Sequence, residues 1–414
     1  MSYKHGIYTE RVSNAGSLTA RAQGTIPVYI GTAPIHLTTD YITGGGDKVN
    51  TPILINSFKE AEQKLGYSKE WGKFTLCEAV YAHFMNTIRP IAPIIVINMN
   101  SGDDKEAFEL TSITATEFEN ALKALDNVEQ ICGAIPNIIC APEIAENNIE
   151  KLVTFCTTGI GSKWGVVAYV DISTATAATV EAAKTRQTAE ATKITSKFIR
   201  LHYPKAKYNE NVYHLSVLDC VASQWVDSDT DGVACRSSSN TAVDCDAPCL
   251  NATTALYFGE KEANSLNEVG ITTINYIGGE YRIWGGHMAN FNHTNVASID
   301  PQDKSDATVR TDIFLHNWLK REFIDNIDFP VSRRDIDGIV ANINIGLNSF
   351  VKNGYLLSGK CYFTADNNPT ATLAEGDITL DVSYTSVPNG KSITFAVQYT
   401  TEGLNNIITE EQGA

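Results

Sequence analysis

The sequence lacks any long hydrophobic run. Its longest apolar segment, residues 91–97, is far shorter than the roughly 20 residues that a membrane-spanning helix needs. The opening residues 1–14 are polar, with no apolar stretch behind a basic start, so they do not have the pattern of a secretory signal. We therefore predict neither secretion nor direct membrane insertion.

Positive charge is also scarce. The chain has 32 Lys and Arg residues against 48 Asp and Glu residues, a formal net charge of −16. Because phosphate binding needs concentrated Lys and Arg, this balance predicts that the chain does not bind nucleic acid. The nine cysteines are an odd number scattered from Cys77 to Cys361, which argues against a complete disulfide framework and favours reduced thiols in a cytosolic compartment.

The compact motifs of common enzymes are missing as well. There is no GxSxG or HExxH pattern. The glycines at 44–46 lead to Lys48 and then Val49, where a phosphate-binding loop needs Ser or Thr, and after residues 159–161 Trp164 stands where a third glycine belongs. We predict that the chain is not an enzyme and takes no cofactor. A pocket assembled from distant residues remains as the enzyme alternative.

One acidic motif imitates half of a calcium site. Residues 227–232, DSDTDG, place carboxylates at alternate positions before a turn glycine. The second half fails, because Ser238 occupies the position of the bidentate glutamate. A solvated acidic turn is the favoured interpretation, and we predict no metal site.

Cysteine and histidine clusters are equally incomplete. Cys235, Cys245 and Cys249 could donate three thiolates, but no CxxC pair or matching histidine spacing completes a zinc site. Free thiols are therefore favoured over metal binding. His287 and His293 have no nearby Cys or Glu at ligand spacing, so we interpret them as hydrogen-bonded loop residues.

Apolar runs and helical periods alternate through the first half of the chain. The predicted strands are Ile26–Gly31, Ile53–Ile55, Ile94–Ile97, Ile135–Cys140, Gly165–Asp171 and Val212–Leu218. The predicted helices are Phe58–Leu65 with Ser57 as its cap, Thr75–Met85, Glu117–Leu125 and Ala145–Cys156. Such alternation is typical of an α/β layer. Residues 227–253 are predicted to form an irregular loop.

The C-terminal third predicts two packed helices and two strands. Leu315, Leu319, Phe323 and Ile327 recur every fourth residue before Pro330, and apolar residues then step by threes and fours from Ile336 to Val351. Strict alternation follows in residues 378–384 and again in 393–399, with a turn between them. The two alternating segments are a hairpin, or strands that pair with a neighbouring chain.

Two segments are locally basic. One is 184–207, and the other consists of Lys320 and Arg321 with Arg333 and Arg334. Each is interpreted either as a solvated helix face or as a docking patch for an acidic protein partner.

Several short segments, in order along the chain, resemble the contractile tail sheath family of phages and phage-like bacteriocins. Residues 6–10 are similar to the family's PGVY-x-x-E opening, with His5 in place of proline, and 24–33 are similar to the strand that follows. Further matches are 265–274 (LN-x-x-GI-x-x-I), 284–286 (WG), the helices 317–327 and 333–354, and the ending at 366–369 and 376–378. The Cys-rich stretch 235–249 departs from the family pattern.

The resemblance implies a structural subunit that polymerises as a helical sleeve around an inner tube and contracts to drive that tube through a target envelope. Its implied partners are itself, the inner tail tube protein, and the baseplate and tail terminator proteins. The implied location is a virion or phage-tail-like particle, assembled in the bacterial host cytoplasm. Another self-assembling phage protein, such as a capsid or tail tube subunit, is the structural alternative.

Terminal arms are the residues that the resemblance singles out. They would add strands to neighbouring subunits' sheets. The arm residues are Ile7, Tyr8 and Val12 at one end and Ile393, Phe395, Val397 and Tyr399 at the other. Tube contact in the family comes from the C-terminal domain, which makes Lys320, Arg321, Arg333 and Arg334 candidates for the tube-facing surface.

The predicted fold class is therefore a multidomain α/β (α+β) chain. An outer domain of alternating strands and helices would be joined to a C-terminal domain with two amphipathic helices and a sheet completed by neighbours' arms. The predicted regions are an arm at 1–23, an α/β region at 24–100, an outer α/β region at 101–285, a C-terminal core at 286–390 and a final strand and arm at 391–414.

Overall fold

The computed structural model describes residues 24–46, 48–87, 93–101, 110–328 and 332–404. Its strands are β1 (Pro27–Gly31), β2 (Pro52–Ile55), β3 (Ile94–Asn98), β4 (Ile138–Cys140), β5 (Val167–Asp171), β6 (Ile199–His202), β7 (Lys205–Tyr208), β8 (Asn211–Tyr213), β9 (Ala247–Cys249), β10 (Ile271–Ile277), β11 (Glu280–Trp284), β12 (Leu356–Tyr362) and β13 (Asp381–Ser386). Its α-helices are α1 (Thr39–Ile42), α2 (Phe58–Leu65), α3 (Thr75–Phe84), α4 (Ala115–Ala124), α5 (Val128–Cys132), α6 (Ile149–Thr158), α7 (Val180–Thr188), α8 (Leu215–Ser228), α9 (Glu260–Asn267), α10 (Asp306–Glu322), α11 (Arg333–Lys352) and α12 (Thr370–Glu375).

Most of the chain is organised around one eight-stranded sheet of order β11-β10-β6-β5-β4-β1-β3-β2. Its inner strands run parallel, while β2 and β11 are antiparallel edges. The strands β1, β3 and β5 are buried along their whole length, because helices cover both faces. This arrangement explains why their sequences are short continuous apolar runs.

The two faces of the sheet carry separate cores. One contains Val28 and Ile30 of β1 with Phe118 of α4 and Leu152 of α6. The other contains Tyr29 of the same strand, with residues of α3, α8 and α10. Because successive side chains of a strand point to opposite faces, one strand supplies both cores.

Several predicted elements are confirmed closely. Strand β2 is followed by α2, and the hydroxyl of Ser57 accepts a hydrogen bond from the Glu60 backbone N–H at 3.2 Å, as a helix N-cap should. The predicted α/β layer is confirmed. Its strands come from both sides of residue 100, so the regions 24–100 and 101–285 share one sheet rather than forming two.

The predicted strand Val212–Leu218 is wrong beyond its start. Strand β8 ends at Tyr213, and α8 begins at Leu215. Asp171 starts this helix by accepting a hydrogen bond from the Ser216 backbone N–H at 3.0 Å. Helix α8 is buried on nearly every side, so its apolar residues follow no one-sided period that would identify it as a helix.

The C-terminal part forms a smaller module. Helices α10 and α11 pack on the antiparallel pair β12–β13 around Leu315, Ile343 and Leu347. The two predicted helices are confirmed. The hairpin alternative is wrong, because β13 pairs with β12 and not with residues 393–399.

Of the helices in the described ranges, none has both the length and the apolar character needed to cross a membrane.

Candidate assembly surfaces

The C-terminal module presents an unfinished sheet. Cys361 is paired with Val382, and the register continues from Tyr362 opposite Asp381 to Leu356 opposite Ser386. Within the described ranges no third strand joins this pair. Each strand therefore has one edge whose backbone N–H and C=O groups have no ladder partner, and such edges accept further strands.

The segment after this sheet has the pattern of a strand without a partner. Residues 391–400 belong to no helix or strand. Their alternate apolar side chains Ile393, Phe395, Val397 and Tyr399 are 78 %, 82 %, 91 % and 80 % exposed. In an extended chain these four side chains lie on one face. An alternating apolar strip this exposed indicates burial against another molecule.

The N-terminal arm residues Ile7, Tyr8 and Val12 lie outside the described residues. The first described residue is Gly24, which is exposed, and the chain enters the sheet at β1 immediately afterwards.

A fully buried ionic network joins α10 to the sheet. Arg200 of β6 lies 3.0 Å from the carboxylate of Asp219 and 3.1 Å from that of Asp306, and all three side chains have no solvent exposure. Burial alone would raise the pKa of Asp219, but Arg200 and His202 hold it below its ordinary value. Breaking such a pair leaves an uncompensated buried charge, which costs about 3–5 kcal/mol.

Asp227 of the acidic motif 227–232 belongs to the same network. Arg310 of α10 pairs with Asp227 at the end of α8, and Thr25 donates its hydroxyl proton to the same carboxylate. Asp231 instead accepts a hydrogen bond from the Tyr355 hydroxyl at 2.7 Å. The carboxylates of the motif therefore have separate partners and do not converge, and the favoured solvated turn is wrong for Asp227.

Three cations of the predicted basic patch at 184–207 have partners within the chain. Its Arg200 is buried, and Lys197 lies 3.0 Å from Asp303. Lys205 pairs with Glu143. Sequence alone could not separate these residues from solvated lysines, because their partners are distant along the chain.

A second buried cluster lies beside the carboxyl ends of β4 and β5. His214 donates to Glu78 at 2.8 Å through Nδ1 and to Glu143 at 2.9 Å through Nε2. Burial alone would lower the pKa of His214, but Glu78 and Glu143 hold it well above its ordinary value. Burial, with Glu143 and Asp171 nearby, raises the pKa of Glu146 to about 7. No sequence motif indicated this cluster, because its members are far apart along the chain.

The other candidate ligands do not form a site. Cys235, Cys245 and Cys249 are free thiols, and burial raises the pKa of Cys249 to about 11, which disfavours the reactive thiolate. Nδ1 of His287 lies 3.1 Å from the Lys304 carbonyl oxygen, a hydrogen-bonded loop position as predicted. Its ring also stacks on Phe291, with ring centroids 3.6 Å apart. No group of three or more His, Cys, Asp or Glu residues in the described ranges is arranged to hold a metal ion.

Comparison with known proteins identifies relatives of this architecture. No protein-family model matches the chain. The tail sheath protein of Escherichia phage P2 is 24 % identical over 392 residues, covering 87 % of this chain and 88 % of that protein. The sheath of an extracellular contractile injection system in its contracted state superposes with a TM-score of 0.62 at 14 % identity, covering 98 % and 99 % of the two chains.

A chain in the cryo-EM structure of the anti-feeding prophage baseplate superposes with a TM-score of 0.66 at 13 % identity, covering 97 % of this chain and all of that one. The chain is thus similar in sequence and in fold to contractile tail sheath proteins. The resemblance given by the ordered short motifs is thereby confirmed. Both the sheet and the C-terminal module lie within the matched range.

The four candidate tube-facing cations have different surroundings. Lys320 donates to the Lys163 carbonyl oxygen, and the Arg321 guanidinium lies 5.7 Å from the centroid of the Trp164 ring. Arg333 lies 3.0 Å from Asp337, and Arg334 is exposed. The first two are at the end of α10 and the second two at the start of α11. Their role toward a tube stays a prediction.

Proposed function

We propose that this chain is the structural subunit of a contractile tail sheath, which polymerises as a helical sleeve around an inner tube and contracts to drive that tube through a cell envelope. The observation that carries the proposal is that one chain has both an unfinished two-stranded sheet and an exposed, alternating apolar strip. A chain with both parts can serve as donor and acceptor of a strand, and repeated donation builds a polymer.

The exposed strip supplies the driving force. Ile393, Phe395, Val397 and Tyr399 are each at least 78 % exposed. Burying one large apolar side chain contributes about 1.5–3 kcal/mol, so four of them offset much of the entropy of ordering the strand. The edge of β12 or β13 supplies the backbone partners.

The second open edge fits a second arm. The pair β12–β13 has two outer edges. In the proposal, the C-terminal strip of a neighbouring subunit occupies one of them. In the proposal, Ile7, Tyr8 and Val12 of another subunit occupy the other. Two tethered strands per subunit keep the lattice connected while the subunits move as rigid bodies between extended and contracted packings.

The partners follow from this role. They are further copies of the chain, the inner tail tube protein, and the baseplate and tail terminator proteins, within a virion or phage-tail-like particle assembled in the host cytoplasm. Lys320, Arg321, Arg333 and Arg334 are proposed to face the tube. The sleeve stores its energy in a metastable packing, so contraction requires no catalytic site and no cofactor.

Negative-stain electron microscopy of the recombinant chain tests the proposal. The full-length chain should form hollow helical tubes, whereas Phe395→Asp and a chain lacking residues 1–14 should give dispersed particles. Thr394→Asp is the matched control, because in an extended strand its side chain points to the opposite face from Phe395.

Closed shells from the full-length chain would support a capsid protein instead. A discrete small oligomer that persists after removal of residues 1–14 would favour the enzyme alternative. Tubes from Phe395→Asp would contradict the role of the C-terminal strip.

A further inference from the structure

The chain contains two asparagine–glycine pairs, one before β12 and one after β13. Asn353 and Gly354 lie at the end of α11, and Asn389 and Gly390 lie between β13 and the exposed strip at 393–399. Such pairs are prone to deamidation, because a glycine has no Cβ to shield its backbone nitrogen from the asparagine side chain. Since the two pairs have the same chemistry, their surroundings decide which of them reacts.

The first pair is fixed in the cap of a helix. The Gly354 N–H donates to the Val351 carbonyl oxygen at 3.0 Å, and the Tyr355 N–H donates to the Phe350 carbonyl oxygen at 2.9 Å. Gly354 has a φ of +78°, so α11 ends in a left-handed residue held between these two bonds. Although Asn353 is exposed, its side chain cannot reach the Gly354 nitrogen unless this cap opens.

The second pair has no such cap. Pro388, Asn389 and Gly390 are exposed and belong to no helix or strand. Among the described residues, the Gly390 N–H has no backbone hydrogen-bond partner, and a Cβ added at Gly390 would meet nothing within 4 Å. The described part of the chain therefore leaves the approach of the Asn389 side chain to this nitrogen open.

We propose that Asn389 deamidates spontaneously in the unassembled chain. The Gly390 nitrogen, after losing its proton to hydroxide, attacks Cγ of Asn389. A C–N bond forms, and the Cγ–Nδ2 bond breaks with release of ammonia, which takes up a proton from water. Water then adds to the resulting cyclic imide. Opening of the ring on one side gives aspartate, and opening on the other side gives isoaspartate, in which the backbone passes through the side chain of residue 389.

The position of this pair gives the reaction a consequence for assembly. Asn389 lies in the segment that joins the unfinished sheet to the exposed strip at 393–399. Lys391, at the root of the strip, has its Nζ 5.9 Å from the centroid of the Phe291 ring. Both products add a negative charge beside this contact, and isoaspartate also adds a methylene to the backbone, so the strip leaves the subunit differently. This consequence rests on the proposed function, whereas the reaction itself does not.

Peptide mapping by mass spectrometry, with chromatography that separates aspartate from isoaspartate peptides, tests the reaction. The dispersed full-length chain is incubated at mildly alkaline pH, and the two asparagines are compared within the same sample. Asn389 should deamidate about ten-fold faster than Asn353, because the hydrogen bonds of the helix cap must open before Asn353 can react. Gly390→Ala should slow the reaction at residue 389 several-fold, because its Cβ obstructs the nitrogen, and should leave the rate at Asn353 unchanged.

Equal rates at the two asparagines, or an unchanged rate in Gly390→Ala, would overturn the proposal. Electron microscopy separates the reaction from the proposed function. The aged wild type should lose tubes in proportion to the fraction that has reacted at Asn389, whereas an equally aged Asn389→Gln should keep them, and equal loss would overturn the consequence for assembly. Tubes from a chain in which Asn389 does not react would refute only the modification, and reaction at Asn389 in a chain that never forms tubes would refute only the sheath role.

Discussion

Two glycines on one helix provide a matched test of the C-terminal module. Gly346 and Gly338 both lie within α11, and neither has a positive φ. A Cβ added at Gly346 would lie 2.4 Å from Cζ2 of Trp318 and 2.7 Å from Cη2. A Cβ added at Gly338 would meet nothing within 4 Å. Of these two positions, therefore, α11 is in close contact with α10 at Gly346 and not at Gly338.

The same substitution should have opposite effects at these positions. Gly338→Ala should raise the free energy of unfolding by about 1 kcal/mol, the usual helix preference of Ala over Gly. At Gly346 that gain is opposed by overpacking, which typically costs about 1–3 kcal/mol. Because both variants change the unfolded chain equally, the difference between them, about 1–3 kcal/mol, reports the contact with Trp318 alone.

Urea unfolding of the dispersed chain, followed by tryptophan fluorescence, measures this difference. A smaller ring at the contact should relieve the clash, so the cost of Gly346→Ala should shrink in a Trp318→Phe background, while the effect of Gly338→Ala should not change. Equal stabilisation by both alanines would refute the close packing of α10 and α11.

Three further results are expected. Phe395→Asp should abolish tubes in electron microscopy while leaving the melting temperature of the dispersed chain unchanged, because this side chain is 82 % exposed. Asp227→Asn should cost about 3–5 kcal/mol in urea unfolding, since it removes the closest carboxylate from the buried guanidinium of Arg310. Asp229→Asn alters a half-exposed carboxylate on the same loop and should change the free energy of unfolding little. Equal losses in the two variants would contradict the network. The pKa of His214 is raised in the folded chain. The contribution of His214 to the free energy of unfolding is therefore complete below the pKa of the unfolded state, and it is lost as the pH rises through the pKa of the folded state. The pKa of Glu146 is raised to about 7, so the range from pH 7 to 9 lies above it. In this range the free energy of unfolding of the wild type should fall more steeply than that of His214→Gln. Parallel pH profiles would refute the role of His214.

The sequence predicts those elements whose apolar period, caps or turns match the side chains that the fold buries. Strand β1, the capped helix α2 and the pair α10–α11 were predicted because each has a regular period or a run bounded by a cap or turn. Helix α8 was misassigned, because burial on all sides removes its period. Strand β12 has no apolar alternation to detect, since Ser358, Gly359 and Lys360 occupy its middle.

The candidate assembly surfaces also contain a part that the sequence predicts and a part that it does not. The exposed strip at 393–399 was evident, because alternation is a local property and its residues need no partner within the chain. The buried networks were not, because Arg310 and Asp227 are 83 positions apart and a charged residue in sequence resembles a solvated one. Only the fold reveals that Arg200 has no solvent exposure.

Helix α10 contributes side chains to two hydrophobic cores. Its first half, with Val309 and Ile313, is packed in the core of the large sheet and is fixed there by the ion pairs of Arg310. Its second half, with Leu315, belongs to the core under β12 and β13. An α-helix has no hinge unless a proline, a glycine pair or an insertion interrupts its hydrogen bonds, and the sequence of α10 contains neither proline nor glycine. Helix α10 therefore runs without an interruption of this kind from the core of the eight-stranded sheet into the core under β12 and β13.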